Sequence, residues 1–552
     1  MKKIILRYVI SGVMALVLFS CSKKIDDAYA NPNSPTDEPV LNIFPSLIGS
    51  FLGSSSAAGS SFGIGGDAIL MGRYLQYWAN YTVTSSVNGG TQFDEMGGVT
   101  SSSDLFGTMW AAFYYGHGQN LNYVVSRAST EGLWDYVGAS RAIRGWGWLE
   151  LGNQYANAII VKEAFDRSLA SFSYDSLQLA YDSCRQACYD ALVYLNTTVS
   201  NSDFATADAY FLGGDISKWK KFTYGILARS YAYLSNTSEY KPDSAIYYAN
   251  LAMTSNADNA TCLFAATGIS GTSNYFGPLR ANVGSLRQGA YIADLMSGRN
   301  TEAFTDVTDP RLWYMLRENT DSTFYGVTPA VEGTSSLTSN LRPQNFWGSS
   351  YSSTAAPTTV AGRYLFRDAA PFPLMTASEM QFIIAEASYI KGDYTTALTA
   401  YENGINLNFD MLSTYYATNV PTSRLITSTN TAEYLANTSV VPTSASSLTL
   451  SQIMLQKYIA LFGWGTQETW TDMRRYHYTD LDPVTGTQVY AGFSPAGGNL
   501  YIDNASKYVY RARPRYNSEY LYDIPSLQAV GAVDASGSLV ATYHTVEPWF
   551  AR

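Results

Sequence analysis

Histidine is scarce in this chain. Its 552 residues include three, His117, His477 and His544. They stand far apart, and none falls in a metal-binding spacing such as H-E-x-x-H. Cysteine is nearly as rare, with Cys21, Cys184, Cys188 and Cys262 making four. That is too few for a disulfide-built scaffold. Cys184 and Cys188 lie four apart on one expected helix face, a poor geometry for a bond between them, and read as small buried apolar residues. No zinc-type cysteine pair occurs, and nothing in the sequence calls for a metal or a cofactor. Charge is thin at 14%, and Lys and Arg are outnumbered 35 to 45 by Asp and Glu. Without clustered basic residues, nucleic acid is excluded as a partner. No apolar run reaches the ~20 residues a membrane-spanning helix needs.

The N-terminus carries a different signal. Lys2, Lys3 and Arg7 precede an apolar stretch from Val9 to Phe19, interrupted only by Ser11 and Gly12. That charge, length and position describe a signal-peptide core over residues 1–20. It ends Leu18-Phe19-Ser20-Cys21, which resembles a lipobox: a small residue precedes the cysteine that takes the lipid, although Phe19 is bulkier than usual. An ordinary secretory signal is the alternative, but no small-x-small cleavage site lies nearby. Cys21 is therefore the expected lipidation site. Residues 21–39, with Asn31-Pro32-Asn33-Ser34-Pro35, are the expected tether. A lipid anchor of this kind holds a protein to a membrane without spanning it. Past the signal, 32 basic residues face 45 acidic ones, a net of −13.

Aromatic residues are abundant: 44 Tyr, 24 Phe and 11 Trp. Leu177, Ala180, Cys184, Ala187, Cys188, Ala191 and Leu195 recur at three-and-four spacing, a helical stripe. Trp219, Phe222, Ile226, Leu227, Ser230 and Leu234 form another, with a partner helix over 243–253. The clearest unit is 378–407. There Ala385, Gly392, Tyr394, Ala397, Tyr401 and Gly404 stand where a tetratricopeptide-like hairpin wants small and aromatic residues. A final helix is expected from Leu450 to about Tyr476. The fold class is thus mainly α, and residues 40–552 read as one domain. Trp78, Trp110, Trp146, Trp148, Trp219 and Trp470 sit in helical patterns and belong to the core. Long loop-rich stretches at 84–104, 256–290, 318–367, 413–447 and 479–517 would carry the variable surface.

Catalytic motifs are few and poorly supported. Gly59-Ser60-Ser61-Phe62-Gly63 matches the G-x-S-x-G elbow but lacks the preceding strand. Gly63-Ile64-Gly65-Gly66-Asp67-Ala68 loosely matches a dinucleotide fingerprint without its βαβ context. Asp480-Leu481-Asp482-Pro483-Val484-Thr485-Gly486 resembles part of a calcium loop. Its twelfth position is Ala491, where a bidentate Glu is needed, so a plain turn is preferred.

Several segments together resemble the SusD/RagB family of nutrient-binding outer-membrane lipoproteins of Bacteroidetes. They are Trp219-Lys220-Lys221-Phe222 with Leu227-Ala228-Arg229; Asp309-Pro310-Arg311; and Met375 through Glu379 into Ile384-Ala385-Glu386-Ala387. Further along come Gln456-Lys457-Tyr458 through Trp470-Thr471-Asp472-Met473-Arg474-Arg475-Tyr476. Arg513-Pro514-Arg515-Tyr516-Asn517-Ser518-Glu519 is similar to the family's ending, with Asn517 in place of a proline. Asp26-Asp27 after Cys21 resemble the group's surface-export signal.

As residues, most of these are structural. Glu386 is a surface or interhelical tie, Arg474 and Arg475 offset a helix dipole, and Asp309 with Arg311 closes a turn. The resemblance implies a protein on the outer membrane, facing outside, that caps a SusC-like TonB-dependent transporter. It would catch an oligosaccharide, or less often a peptide, without covalent chemistry.

Sugar rings stack their apolar faces on aromatic rings and need hydrogen bonds at their rims. On that basis Phe346, Trp347 and Tyr351 form the first candidate ligand platform. Asn274, Tyr275 and Phe276 form the second, with Arg287 as a polar partner. The alternative for each ring is packing onto the scaffold beneath. Two rival functions remain at this point: a surface glycoside hydrolase with a paired-carboxylate cleft, and a tetratricopeptide-type adaptor that binds only protein. A first prediction follows from Cys21: Cys21→Ser should move the protein from the membrane fraction to the soluble fraction. Unchanged membrane association would remove the anchor assignment.

Overall fold

The computed structural model describes residues 38–55, 61–82, 94, 96–97, 105–197, 202–357, 361–495 and 500–552. Cys21, the signal segment and all of the expected tether up to residue 37 lie outside them. Among the described residues eleven helices have ten or more residues. In chain order they are α1 (Val40–Gly49), α2 (Ile64–Tyr74), α3 (Gly118–Glu131), α4 (Trp134–Tyr155), α5 (Leu177–Thr197), α6 (Ile216–Ala232), α7 (Pro242–Leu251), α8 (Ala377–Ile390), α9 (Tyr394–Tyr415), α10 (Leu450–Ala460) and α11 (Thr466–Arg475). The pairs α4–α5, α6–α7 and α8–α9 pack as hairpins. Contacts of α5 with α6 and of α7 with α8 stack them in chain order, and α10 closes against α8. The fold is mainly α, as the periodicity predicts. No helix of the described residues is long and apolar enough to cross a membrane.

The local chemistry explains the hairpins. The buried face of α5 comprises Leu177, Ala180, Tyr181, Cys184, Ala187, Cys188, Ala191 and Leu195, the expected stripe with Tyr181 added. Cys184, Cys188 and Cys262 are free and buried. At α8, Thr376 caps by accepting from the Glu379 amide at 3.2 Å, and Asp393 caps α9 by accepting from Thr396 at 3.1 Å. These bonds satisfy amides a helix start leaves unpaired. Between the two helices Gly392 adopts φ +79°, a left-handed turn that a side chain would strain. On the facing helix Gly404 lies so close to Phe382 that an added Cβ would come within 2.9 Å of its ring.

One expectation is corrected. The span from Leu450 to Tyr476 is two helices, because Gly463 takes φ +85° and ends α10 before α11 begins at Thr466. Strands are minor. Those among the described residues are β1 (Ser54–Ser55), β2 (Ser61–Phe62), β3 (Trp78–Asn80), β4 (Ala260–Cys262), β5 (Leu286–Gln288) and β6 (Phe372–Met375). They pair antiparallel as β1–β2, β3–β5 and β4–β6. In β3–β5 Trp78 faces Gln288 and Asn80 faces Leu286, which pins the 256–290 stretch to the helical body.

Charge is buried between the stacked helices. Arg229 of α6 pairs with Glu379 of α8 at 2.7 Å and with Glu468 of α11 at 2.7 Å, while Glu150 of α4 stands 3.6 Å away. A second cluster joins α8, α10 and α11. Arg475 meets Glu386 at 2.6 Å and Asp472 at 2.5 Å, and Lys457 meets Asp472 at 2.7 Å. A third ties Arg311 to Asp309 at 2.5 Å, to Asn408 of α9 at 3.0 Å and to Gln456 of α10 at 2.6 Å. Arg474 is buried over the Trp470 ring and donates to the Asn153 and Tyr510 carbonyls at 2.7 and 2.8 Å. The role expected for Arg474 and Arg475, offsetting a helix dipole at its end, is therefore too small. These residues are internal ties linking helices distant in sequence.

Removing one partner of such a pair strands the other charge. Glu386→Ala is expected to cost about 3–5 kcal/mol, read as a drop in unfolding free energy in urea; a cost under ~1 kcal/mol would show that water reaches Arg475.

The first cluster sets one cation among three carboxylates. Burial, with Glu379 adding to it and Arg229 opposing, pushes Glu468 up to about 7. Glu150 is also raised, by burial and then by Glu468. The ordinary value for Glu468 is 4.5, so between there and about 7 the folded chain holds a proton that the unfolded chain has released. Stability contributed at this position must fall as pH rises through that window. Glu468→Gln should flatten that fall, measured as urea midpoints at pH 5 and pH 7, and an unchanged slope would refute the assignment.

Candidate functional site

The structure brings the predicted loop residues together but buries them. Asn274, Phe276, Arg287 and Trp347 are fully buried, Phe346 is 1% exposed and Tyr275 5% exposed. Only Tyr351 is half-buried. The Trp347 indole donates to the Phe276 carbonyl at 2.9 Å. Phe346 stacks on Phe366 at 4.2 Å, and Phe276 stacks on Phe372 at 5.6 Å. Asn274 donates to the Ala370 carbonyl at 2.9 Å and accepts from the Phe276 amide at 2.9 Å. Arg287 donates to the carbonyls of Gly284, Leu286 and Ser353, each at 2.9 Å.

The expectation of open stacking platforms at these six residues is therefore corrected. Their rings and most of their polar atoms are taken by protein, with Arg287 Nε left buried without a hydrogen-bond partner, and they clamp the 256–290 and 318–367 stretches onto the body. Packing, the alternative reading, accounts for them. The six tryptophans assigned to the core are buried as expected.

A cleft of about 340 Å³ lies elsewhere, between residues 110–119, residues 160–172 and residues 518–523. Its walls are aromatic: Tyr115 is 49% exposed and Tyr522 75% exposed, with Phe165 and Phe172 half-buried between them. Its floor is acidic, from Glu519 and Asp523. Two π-helical stretches, Ala112–His117 and Tyr516–Tyr520, supply Tyr115 and Glu519. Such widened turns are rare and recur at functional sites. Phe165 holds φ +73°, unusual for a bulky residue. The Tyr114 hydroxyl accepts from the Ile160 amide and donates to the Ile160 carbonyl, each at 2.9 Å, locking the loop to the first π stretch.

Glu519 is buried. Burial raises its pKa, while the Tyr174 hydroxyl donating at 2.6 Å pulls the other way. The Oδ2 of Asp523 is buried with no hydrogen-bond partner. Aromatic faces beside a few polar groups are what a sugar-sized ligand requires.

Sequence reasoning missed this cleft because its rings come from three distant segments with no shared period. The Tyr114-Tyr115 pair beside Gly116 and the Tyr520-Leu521-Tyr522 cluster were the available signals. Other concavities are a polar recess at Trp313 and Arg424, whose guanidinium lies 4.5 Å over the indole, an apolar one beside Pro45 and Ile48, and one of about 360 Å³ behind Phe165 lined by Arg141 and Arg144. The first has its aromatic face covered, and the second has no carboxylate in its lining. No cluster of three or more metal-ligating side chains occurs among the described residues. Asp482 is buried and accepts from Tyr389, Val484 and Thr485 at 2.9–3.0 Å, so it ties a turn together.

Comparison with known proteins fits this architecture. The SusD-like family described as "starch-binding associating with outer membrane" matches residues 64–493, and the chain belongs to it. Its fold is similar to that of a SusD/RagB family protein from Bacteroides thetaiotaomicron, at 19% identity and TM-score 0.64, covering 93% of this chain and 98% of that one. A SusD homolog from Bacteroides uniformis is 20% identical with TM-score 0.61, over 94% and 100% of the two chains. A chitin-binding SusD homolog from Flavobacterium johnsoniae is 17% identical with TM-score 0.62, over 92% and 99%. No curated protein matches in sequence.

The corrected role of Trp347 makes a prediction. Trp347→Ala should lower unfolding free energy by about 3–5 kcal/mol, measured in urea. A variant of wild-type stability that has lost ligand binding would restore the platform reading.

Proposed function

We propose that this chain is a lipid-anchored receptor on the outer membrane, facing outside, that captures oligosaccharide and delivers it to a SusC-like TonB-dependent transporter. Family membership supports the membrane setting and the carbohydrate class. The observation that carries the binding role is the cleft walled by Tyr115, Phe165, Phe172 and Tyr522 and floored by carboxylates. A pyranose lays an apolar face on such rings while its hydroxyls reach Gln119, Glu519 and Asp523.

One observation favours a second reading. Glu519 and Asp523 are a carboxylate pair, and one of them is pushed up by burial, as a glycoside hydrolase acid would be. They lie four residues apart on one short segment at the floor, whereas hydrolysis needs carboxyl groups flanking the scissile bond. Binding without turnover is the better account.

Isothermal titration of the mature protein against plant, host and microbial oligosaccharides and peptides tests this. Saturable binding without product is expected. Tyr115→Ala and Tyr522→Ala should each weaken it by about 1 kcal/mol, roughly fivefold. Released product would establish the hydrolase, and affinity unmoved in both variants would exclude the cleft.

A further inference from the structure

We propose that the cleft selects oligosaccharides bearing free amino groups, with the ammonium held between the aromatic walls and the Asp523 and Glu519 carboxylates. This rests on the reading of the cleft as the glycan site and adds the class of sugar it prefers. Aromatic faces attract cations through the ring quadrupole, and the attraction strengthens when water is excluded. A carboxylate beside them supplies a charged acceptor, and hydrogen bonds to charged groups are the stronger kind.

The Oδ2 of Asp523 is the most telling atom. Asp523 is 6% exposed, lines the cleft, and its Oδ2 has neither a hydrogen-bond partner nor contact with solvent. A buried acceptor left unpaired is destabilising, and an incoming N–H donor would relieve that. Glu519 stands four residues earlier and already accepts from Tyr174 at 2.6 Å.

No Lys, Arg or His lines the cleft. Two guanidinium groups lie outside the lining, Arg144 over Phe165 at 4.5 Å and Arg515 over Tyr115 at 5.4 Å, the latter also acting on Glu519. They brace the rings, and the acceptors on the floor have no lining cation to satisfy them. Acidic glycans would meet two carboxylates without a lining counter-charge, so uronate or sulfate groups should be rejected.

The test is titration of the mature protein with three glucose-type oligomers of equal length: one with free 2-amino groups, its N-acetylated counterpart, and the plain 2-hydroxyl form. The free-amine oligomer should bind at least tenfold tighter than the other two, and added salt should shrink the preference. Asp523→Asn, nearly isosteric, should abolish the preference by bringing the free-amine oligomer to the affinity of the other two. Glu519→Gln should reduce it. Equal affinities, or a preference that Asp523→Asn does not move, would overturn the proposal. If the neutral oligomers bind and Tyr115→Ala weakens them while no amine preference exists, the cleft remains the glycan site and only the amine selectivity fails. If no oligomer binds, both readings fall together.

Discussion

Arg229 has no water to turn to. It is fully buried where α4, α6, α8 and α11 converge, and its charge persists because Glu379 and Glu468 stand 2.7 Å away. Burial works against that charge, but the two carboxylates outweigh it and hold the pKa well above its ordinary value. Arg475 is treated the same way by Glu386 and Asp472. Asp472, despite its burial, is kept below the usual carboxylate range by Lys457 and Arg475. Buried ion pairs are a poor source of net stability compared with packed apolar side chains. They are exacting about geometry, however. A helix stack that slipped by one turn would leave several charges unpaired at once. The constraint on the scaffold is therefore register: the hairpins must meet so that every buried charge finds its partner.

That constraint explains how loops can be large without loosening the body. The stretches at 256–290 and 318–367 are clamped by Trp347, Phe346, Phe276 and Asn274, whose rings and amides are used against one another and against β6. Once these segments are fixed, surface variation is left to other places. The cleft between the π-helical stretches is one. It combines exposed rings, a left-handed phenylalanine and a carboxylate without a partner, features a fold retains when something other than stability depends on them.

Membership of a SusD-like family gives the architecture its setting, and the cleft gives it a specific chemistry. The cleft is built from the α3–α5 end of the chain and from the C-terminal segment, whereas the clearest hairpin, α8–α9, contributes nothing to it. The cleft and the tetratricopeptide-like hairpin can thus vary independently.

What the sequence by itself determined is local. The α5 stripe, the α8–α9 hairpin with its turn at Gly392 and the burial of five helical tryptophans were legible because helix periodicity involves residues three or four apart, whereas Trp78, expected in a helical pattern, is buried on strand β3. The family motifs were legible as a pattern, while their purpose was not. Arg229 and Glu379 are 150 residues apart, and Arg474 meets the Asn153 carbonyl across 321. No local period marks such pairs. The same limit governs the loops. A Trp flanked by Phe, Gly and Ser reads identically whether its ring faces solvent or a neighbouring segment. Only the tertiary structure decided that Trp347 is packed and Tyr115 open, because burial outside helices is set by what the rest of the chain brings alongside.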